Sequence, residues 1–192
     1  ELPVYAMTAK DELAFKTPDA LLNGQSVVDV VKSCVPNIKD PWLMPSIDVD
    51  AILIAIRIAT YGEKMEIETR VPTAATMRKF DLDLRLLLDR YQGIEYENVV
   101  EIGGMKITLK PQTYREFTRT AIKTFEEQRI AETVSNSKLS DGEKLDRFSD
   151  SFNKLTQVTI DMVVHGIVQI QVGDEVVVDQ NHIAEFITKG DK

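Results

Sequence analysis

Hydrophobic positions crowd most densely between Met44 and Gly62, in the run MPSIDVDAILIAIRIATYG. From Ile47 to Ala59, apolar residues fall on nearly every side of a helix, and such a helix is expected to lie buried among several neighbours. Ser46 stands where an N-cap belongs, Asp48 and Asp50 place negative charge in the first turn, and Gly62 closes the segment. The apolar run covers about 13 residues, short of the roughly 20 that a membrane helix needs. Arg57, the one interior charge, is expected to reach a carboxylate or to snorkel to the surface.

On the N-terminal side, Leu2–Met7 suits an edge strand or an extended arm, and Thr8 with Asp11 forms a capping pattern for a short helix. Thr17-Pro18 repeats that signal before Gly24. Val27, Val30, Val31 and Cys34 recur at helical spacing, which makes Cys34 a small core residue rather than a reactive thiol. Three prolines and the only Trp stiffen the connector Pro36–Pro45. Trp42 either anchors that connector to the core or, with Leu43, offers a contact surface whose backbone is already set.

Beyond the apolar helix the period changes to two. Met65–Val71 and Met77–Leu84 alternate as a hairpin, and Arg85–Tyr91 reads as a short helix. Val99–Ile102 and Met105–Leu109 flank Gly103-Gly104, a two-residue hairpin signal. Pro111–Val134 is a long helix with Phe117, Ala121, Phe125 and Gln128 along one side. After a polar loop, Ser140 and Glu143 make a capping box for a helix carrying Leu145, Phe148, Phe152, Leu155, Thr159 and Met162 at alternating three- and four-residue steps. Two such helices make an antiparallel hairpin with a coiled-coil-like seam. If that seam is exposed instead, Phe148 and Phe152 become partner contacts. A third hairpin, Ile167–Gln171 with Val176–Val178, and a helix Asn181–Ile187 complete the chain.

The pattern predicts an α+β fold: a mostly helical body with a central buried helix at 46–60, several β-hairpins and a long antiparallel helical hairpin. The expected divisions are 1–110 for the N-terminal body, 111–166 for the helix pair, and 167–192 for a terminal hairpin and helix packing back on the body.

Composition narrows the function. A net charge of -8 and a pI near 4.9 disfavour non-specific binding to nucleic acid and to anionic membranes. One Cys excludes an internal disulfide framework and a cysteine cluster for zinc. No signal peptide or membrane span is visible, so synthesis in the cytoplasm is expected, and an opening Glu suggests further residues upstream. His165 sits at a helix end and His182 at a helix start, neither beside a Cys, a Ser motif or a carboxylate pair. Gly103-Gly104 precedes no helix and is not a phosphate loop, while Asp81 and Asp83 lack a third carboxylate for a metal. The residues therefore predict no catalytic group, no cofactor, no metal and no small-molecule substrate.

The stretch Tyr5–Met65 resembles the baseplate hub and hub-assembly proteins of T-even-type contractile-tailed bacteriophages. Met7–Glu12, Thr17–Gly24, Ser33–Pro36, Asp40–Trp42 and Ile54–Glu63 carry the resemblance, about the first third of the chain. Beyond Met65 it continues as general layout. A hairpin tip in that family often carries a Cys-Pro-x-Cys-type knuckle, whereas this chain reads Val71-Pro72-Thr73-Ala74-Ala75 there, which argues against a metal.

The resemblance implies a tail-assembly protein that binds other baseplate or hub proteins, located in the virion tail. A structural part in or near the hub is the first reading. A hub-assembly chaperone absent from the mature particle is the second, and a tail-associated hydrolase the third.

Overall fold

The computed structural model describes residues 2–17, 23–70, 77–93, 97–135 and 137–189. Among these lie seven α-helices and two antiparallel sheets, an α+β architecture. The chain divides into two compact units, Glu1–Glu95 and Tyr96–Lys192.

In the N-terminal unit, Leu2–Met7 is an extended arm. It is tied down by Tyr5 N–H donating to the Cys34 carbonyl (2.8 Å) and by Met7 N–H donating to Thr60 Oγ1 (3.0 Å). Helix α1 (Ala9–Phe15) opens with the expected capping box, in which Thr8 and Asp11 satisfy each other's backbone N–H groups. Asp11 is buried and also accepts from the Ser33 hydroxyl of α2 (Gln25–Cys34) at 3.1 Å, while Ser26 donates to the Ala14 carbonyl at 2.8 Å. Polar bonds thus dock α1 on α2, where each buried group needs a partner. The helix expected to follow Thr17 falls on positions 18–22, outside the described residues.

Val28, Val30, Val31 and Val35 are completely enclosed and Cys34 nearly so, which makes α2 the core of this unit. A turn of 3-10 helix at Pro41–Leu43 leads to α3 (Ser46–Tyr61). Of the sixteen residues of α3, only Val49 and Ile56 are buried, so it is not the enclosed central helix its composition suggested. Helix burial depends on how many elements come alongside, and α3 is bordered chiefly by α2 and α4 (Leu84–Gln92). Ser46 is the first helical residue rather than the cap, since Pro45 holds that place without a side-chain bond. Among the described residues no carboxylate pairs with Arg57, which donates to the Gly62 carbonyl instead. Its guanidinium lies 4.5 Å from the centre of the Tyr61 ring.

Strands β1 (Lys64–Arg70) and β2 (Met77–Asp83) pair in the expected hairpin, with Met65 opposite Leu82 and Ile67 opposite Phe80. The predicted tip, 71–76, lies outside the described residues. Asp83 caps α4 by accepting from Arg85 N–H (2.9 Å), and Arg85 pairs with Glu63.

The C-terminal unit is built on a four-stranded sheet ordered β3 (Val99–Ile102), β4 (Met105–Leu109), β5 (Ile167–Val172), β6 (Glu175–Val177). Gly103 and Gly104 both take positive φ, 58° and 81°, the left-handed pair that a two-residue hairpin requires. β4 pairs with β5, so the 99–109 hairpin and the last strands share one sheet. Between them run α5 (Tyr114–Ser135) and α6 (Asp141–Gly166), packed on each other. Helix α7 (Gln180–Lys189) closes the unit, running two residues further than the sequence suggested. Val164, Ile167, Ile170 and Ile183 form its core, with Ile107, Leu109 and Ile160 around them.

Candidate interaction surfaces

The 3-10 turn that carries Trp42 is set by Asp40, whose carboxylate accepts the Trp42 N–H at 3.1 Å, and by Pro41 at the first helical position. Trp42 itself is half-buried. Leu43, next in the chain, is 60% exposed. The connector therefore divides the two roles proposed for it: the Trp side chain sits partly against the body and the Leu faces water.

Phe148 and Phe152 sit on α6, whose start is fixed by the Ser140–Glu143 capping box. The six-residue seam read from the sequence does not form as one internal line. Leu145 and Phe152 are each 70% exposed, Phe148 and Met162 38%, and Leu155 is half-buried. Buried Ser151 and half-buried Lys144, Leu155 and Val158 instead mark the side turned to α5. The helix pair meets through a mixed stripe that includes the Lys154–Glu127 ion pair at 3.5 Å. Knobs chosen by size alone placed the seam about 60° too far round the helix, because the fold accepts small and polar residues at the contact.

A second feature lies on one side of this pair. Glu116, Arg119 and Lys123 of α5 and Asp161 and His165 of α6 border a depression of about 160 Å³. Burial pushes the Glu116 carboxyl up, but hydrogen bonds from Thr113 N–H and hydroxyl, with Lys110 and His165 nearby, hold it below its ordinary value. Thr113 and Glu116 form a capping box that sequence reasoning passed over, although the Thr-x-x-Glu spacing was there to find it. His165 Nδ1 lies 2.6 Å from the Asp161 carbonyl oxygen, tying the imidazole to its own helix. At the other histidine, Asp179 Oδ1 is 3.7 Å from the ring.

Cys34 is 1% exposed, and burial with Asp11 nearby pushes its thiol up, away from the reactive thiolate. Among the described residues no three His, Cys, Asp or Glu side chains converge to hold a metal ion, and no helix is long and apolar enough to cross a membrane.

Compared with known proteins, the chain matches the family described as T4 bacteriophage base plate protein over residues 5–189. No curated protein and no solved structure matches it. The family match spans nearly the whole length, and the chain belongs to the T4-type phage baseplate family. The likeness read from Tyr5–Met65 thus extends through the C-terminal unit.

Proposed function

We propose, from the chain's membership of the T4-type baseplate family, that it is a non-enzymatic structural part of a contractile phage tail. It sits in or near the baseplate hub and acts by protein–protein contact during tail assembly. The observation that supports this reading is the amount of large apolar surface left open in both units. Leu43 in the first and Leu145, Phe117 and Phe152 in the second are each at least half exposed. Anchors of this kind, set among polar neighbours, are what a binding partner desolvates. Its partners are other baseplate proteins, and its work needs no nucleotide, metal, nucleic acid or membrane.

Quantitative mass spectrometry of purified phage tails tests the reading. A fixed copy number per tail is expected. Its absence from finished particles, together with arrested hubs when the gene is silenced, would assign it to assembly chaperoning instead. Replacing Trp42 or Leu43 by Ala separates fold from contact: Leu43→Ala is expected to leave the melting temperature unchanged while lowering tail yield. Because Trp42 is half-buried, Trp42→Ala is expected to lower both.

A further inference from the structure

The β1–β2 hairpin of the N-terminal unit is a two-stranded ribbon. Among the described residues of that unit, no other helix or strand packs on it beyond a grazing touch. A lone pair of strands is marginally stable in water, and a third strand is one remedy. Leu84 N–H donates to the Glu63 carbonyl at 2.8 Å. In the register that sets Lys64 opposite Asp83, this bond turns the backbone groups of Met77, Lys79, Asp81 and Asp83 toward the open edge of β2. Beside the last three residues of β2 that edge gives onto a groove of about 670 Å³, bordered also by Leu86, Leu87, Asp89 and Arg90 of α4. An uncovered edge of seven residues, without proline, is a template for another strand. The charges it carries decide which strand.

We propose that β2 pairs antiparallel with β2 of a second copy about a two-fold axis at Phe80, joining the two hairpins into one four-stranded sheet. Its charges select its own image. In this register Lys79 stands opposite Asp81 of the second copy, and Asp81 opposite its Lys79. Arg78 faces Leu82 and Asp83 faces Met77, so no like charges stand directly opposite. The like-charged diagonals, Asp81 to Asp81 and Lys79 to Lys79, are about 7–8 Å apart, against about 4.5–5.5 Å for the direct pairs. Within one copy Asp81 stands opposite Glu66, an unfavourable pair, and the second copy supplies a cation on its other side. Moving the axis by one residue would set Lys79 against Lys79 or Asp81 against Asp81. The outer edge of β1 fails the same test. Its outward residues are Lys64, Glu66, Glu68 and Arg70, and an axis at Glu66, Ile67 or Glu68 opposes glutamate to glutamate.

Backbone geometry agrees with the charges. Lys79 and Asp81 are residues with outward groups, so each of the two Lys79–Asp81 pairs exchanges both N–H···O=C bonds. Phe80, 46% exposed, then meets Phe80 of the second copy at the closer, non-hydrogen-bonded spacing. Main-chain bonds carry strand addition of this kind with little buried area, so a weak association, micromolar or above, is expected.

Sedimentation velocity on the purified full chain, from micromolar to submillimolar concentration, tests this directly. A monomer–dimer equilibrium is expected. Lys79→Glu and Asp81→Lys each make both cross-axis pairs repulsive and should weaken it about tenfold. Mixed in equal amounts, the two variants regain an attractive pair on each side of the axis, and dimerisation should return to within about threefold of the wild type. A merely damaged hairpin would not be rescued by mixing. Both residues are exposed, and an exposed ion pair such as Lys79–Glu66 contributes little, so the circular dichroism melts of both variants should match the wild type. Register is read separately by cysteine substitution, with buried Cys34 as the background. Phe80→Cys brings two thiols to the axis at a Cα spacing of about 4.5 Å, within disulfide range, and should cross-link under mild oxidation. Thr69→Cys on β1 should not.

A monomer at every concentration overturns the proposal. So does a dimer that neither charge reversal weakens, a mixture of two folded variants that fails to recover, or a cross-link through position 69 rather than 80. If a charge-reversed variant does not fold, the cross-link at position 80 decides alone. The proposal stands apart from the baseplate reading: a chain that pairs through β2 in solution but is missing from tails would sink that reading and leave this one.

Discussion

Helices α2 and α3 of the N-terminal unit differ in a way their compositions do not suggest. α2 has ten residues, with Asp29 and Lys32 among them, and six are shielded from solvent. α3 has sixteen, apolar nearly all round, and only two are shielded. The difference is one of neighbours. α2 is bordered by α1, α3 and the 3-10 turn, so its valines meet protein on most sides. With four β-branched valines it is also a weak helix former by itself, and the packing that encloses it is what holds it helical. α3 has stronger hydrophobic drive and less to bury it against, which leaves Ile47 39% exposed in this chain. Hydrophobicity sets the wish for burial; the number of elements alongside sets its extent.

The comparison breaks most sharply with a buried charge. Val31→Asp puts an unpaired carboxylate in a site with no solvent, and is expected to cost about 4 kcal/mol or more, enough to unfold the unit. Ile54→Asp, on half-buried α3, should cost only about 1–2 kcal/mol and leave a soluble protein that still melts cooperatively. Thermal melts of both check the order, and equal losses would restore α3 as the core. In the C-terminal unit the counterpart of α2 is the cluster around Ile183. Ile183→Ala, at a fully enclosed position, should cost about 2–4 kcal/mol. Hydrogen exchange should show that loss in 97–189 while α2 keeps its protection.

Smaller effects sharpen the role of the polar bonds that seat α1 on α2. Thr8→Ala removes one half of the capping box and is expected to cost about 1 kcal/mol in a chemical denaturation series. Asp11 adds a pH signature. Burial raises its carboxyl, yet the Thr8 side-chain and backbone bonds and the Ser33 hydroxyl outweigh it and hold the group below its ordinary value. A depressed native value stabilises the fold at pH above the unfolded value of about 3.9, and that stability is lost as pH falls through the lowered native value. Asp11→Asn should flatten this acid limb of the stability curve. The smallest change is expected at Phe152: replaced by Ala it should alter monomer stability by no more than about 0.5 kcal/mol, against the roughly 3–5 kcal/mol of an enclosed Phe.

Much of the secondary structure was written locally. The Thr8–Asp11 and Ser140–Glu143 capping boxes, the Gly103-Gly104 turn, and the period-two runs that pair as β1–β2 all act within a few residues, so spacing alone locates them. Tertiary structure decided the rest. Whether Val31 or Ile54 is enclosed depends on which elements pack alongside, and nothing in either helix states that. The joining of β4 to β5 across the long helix pair is likewise a contact between segments some sixty residues apart, which no local period encodes. The α6 stripe shows the limit most plainly. Its spacing established that an apolar line exists, but only the pairing with α5 decided that Leu145 and Phe152 face outward. The two helices meet instead along Ser151, Leu155 and the Lys154–Glu127 pair.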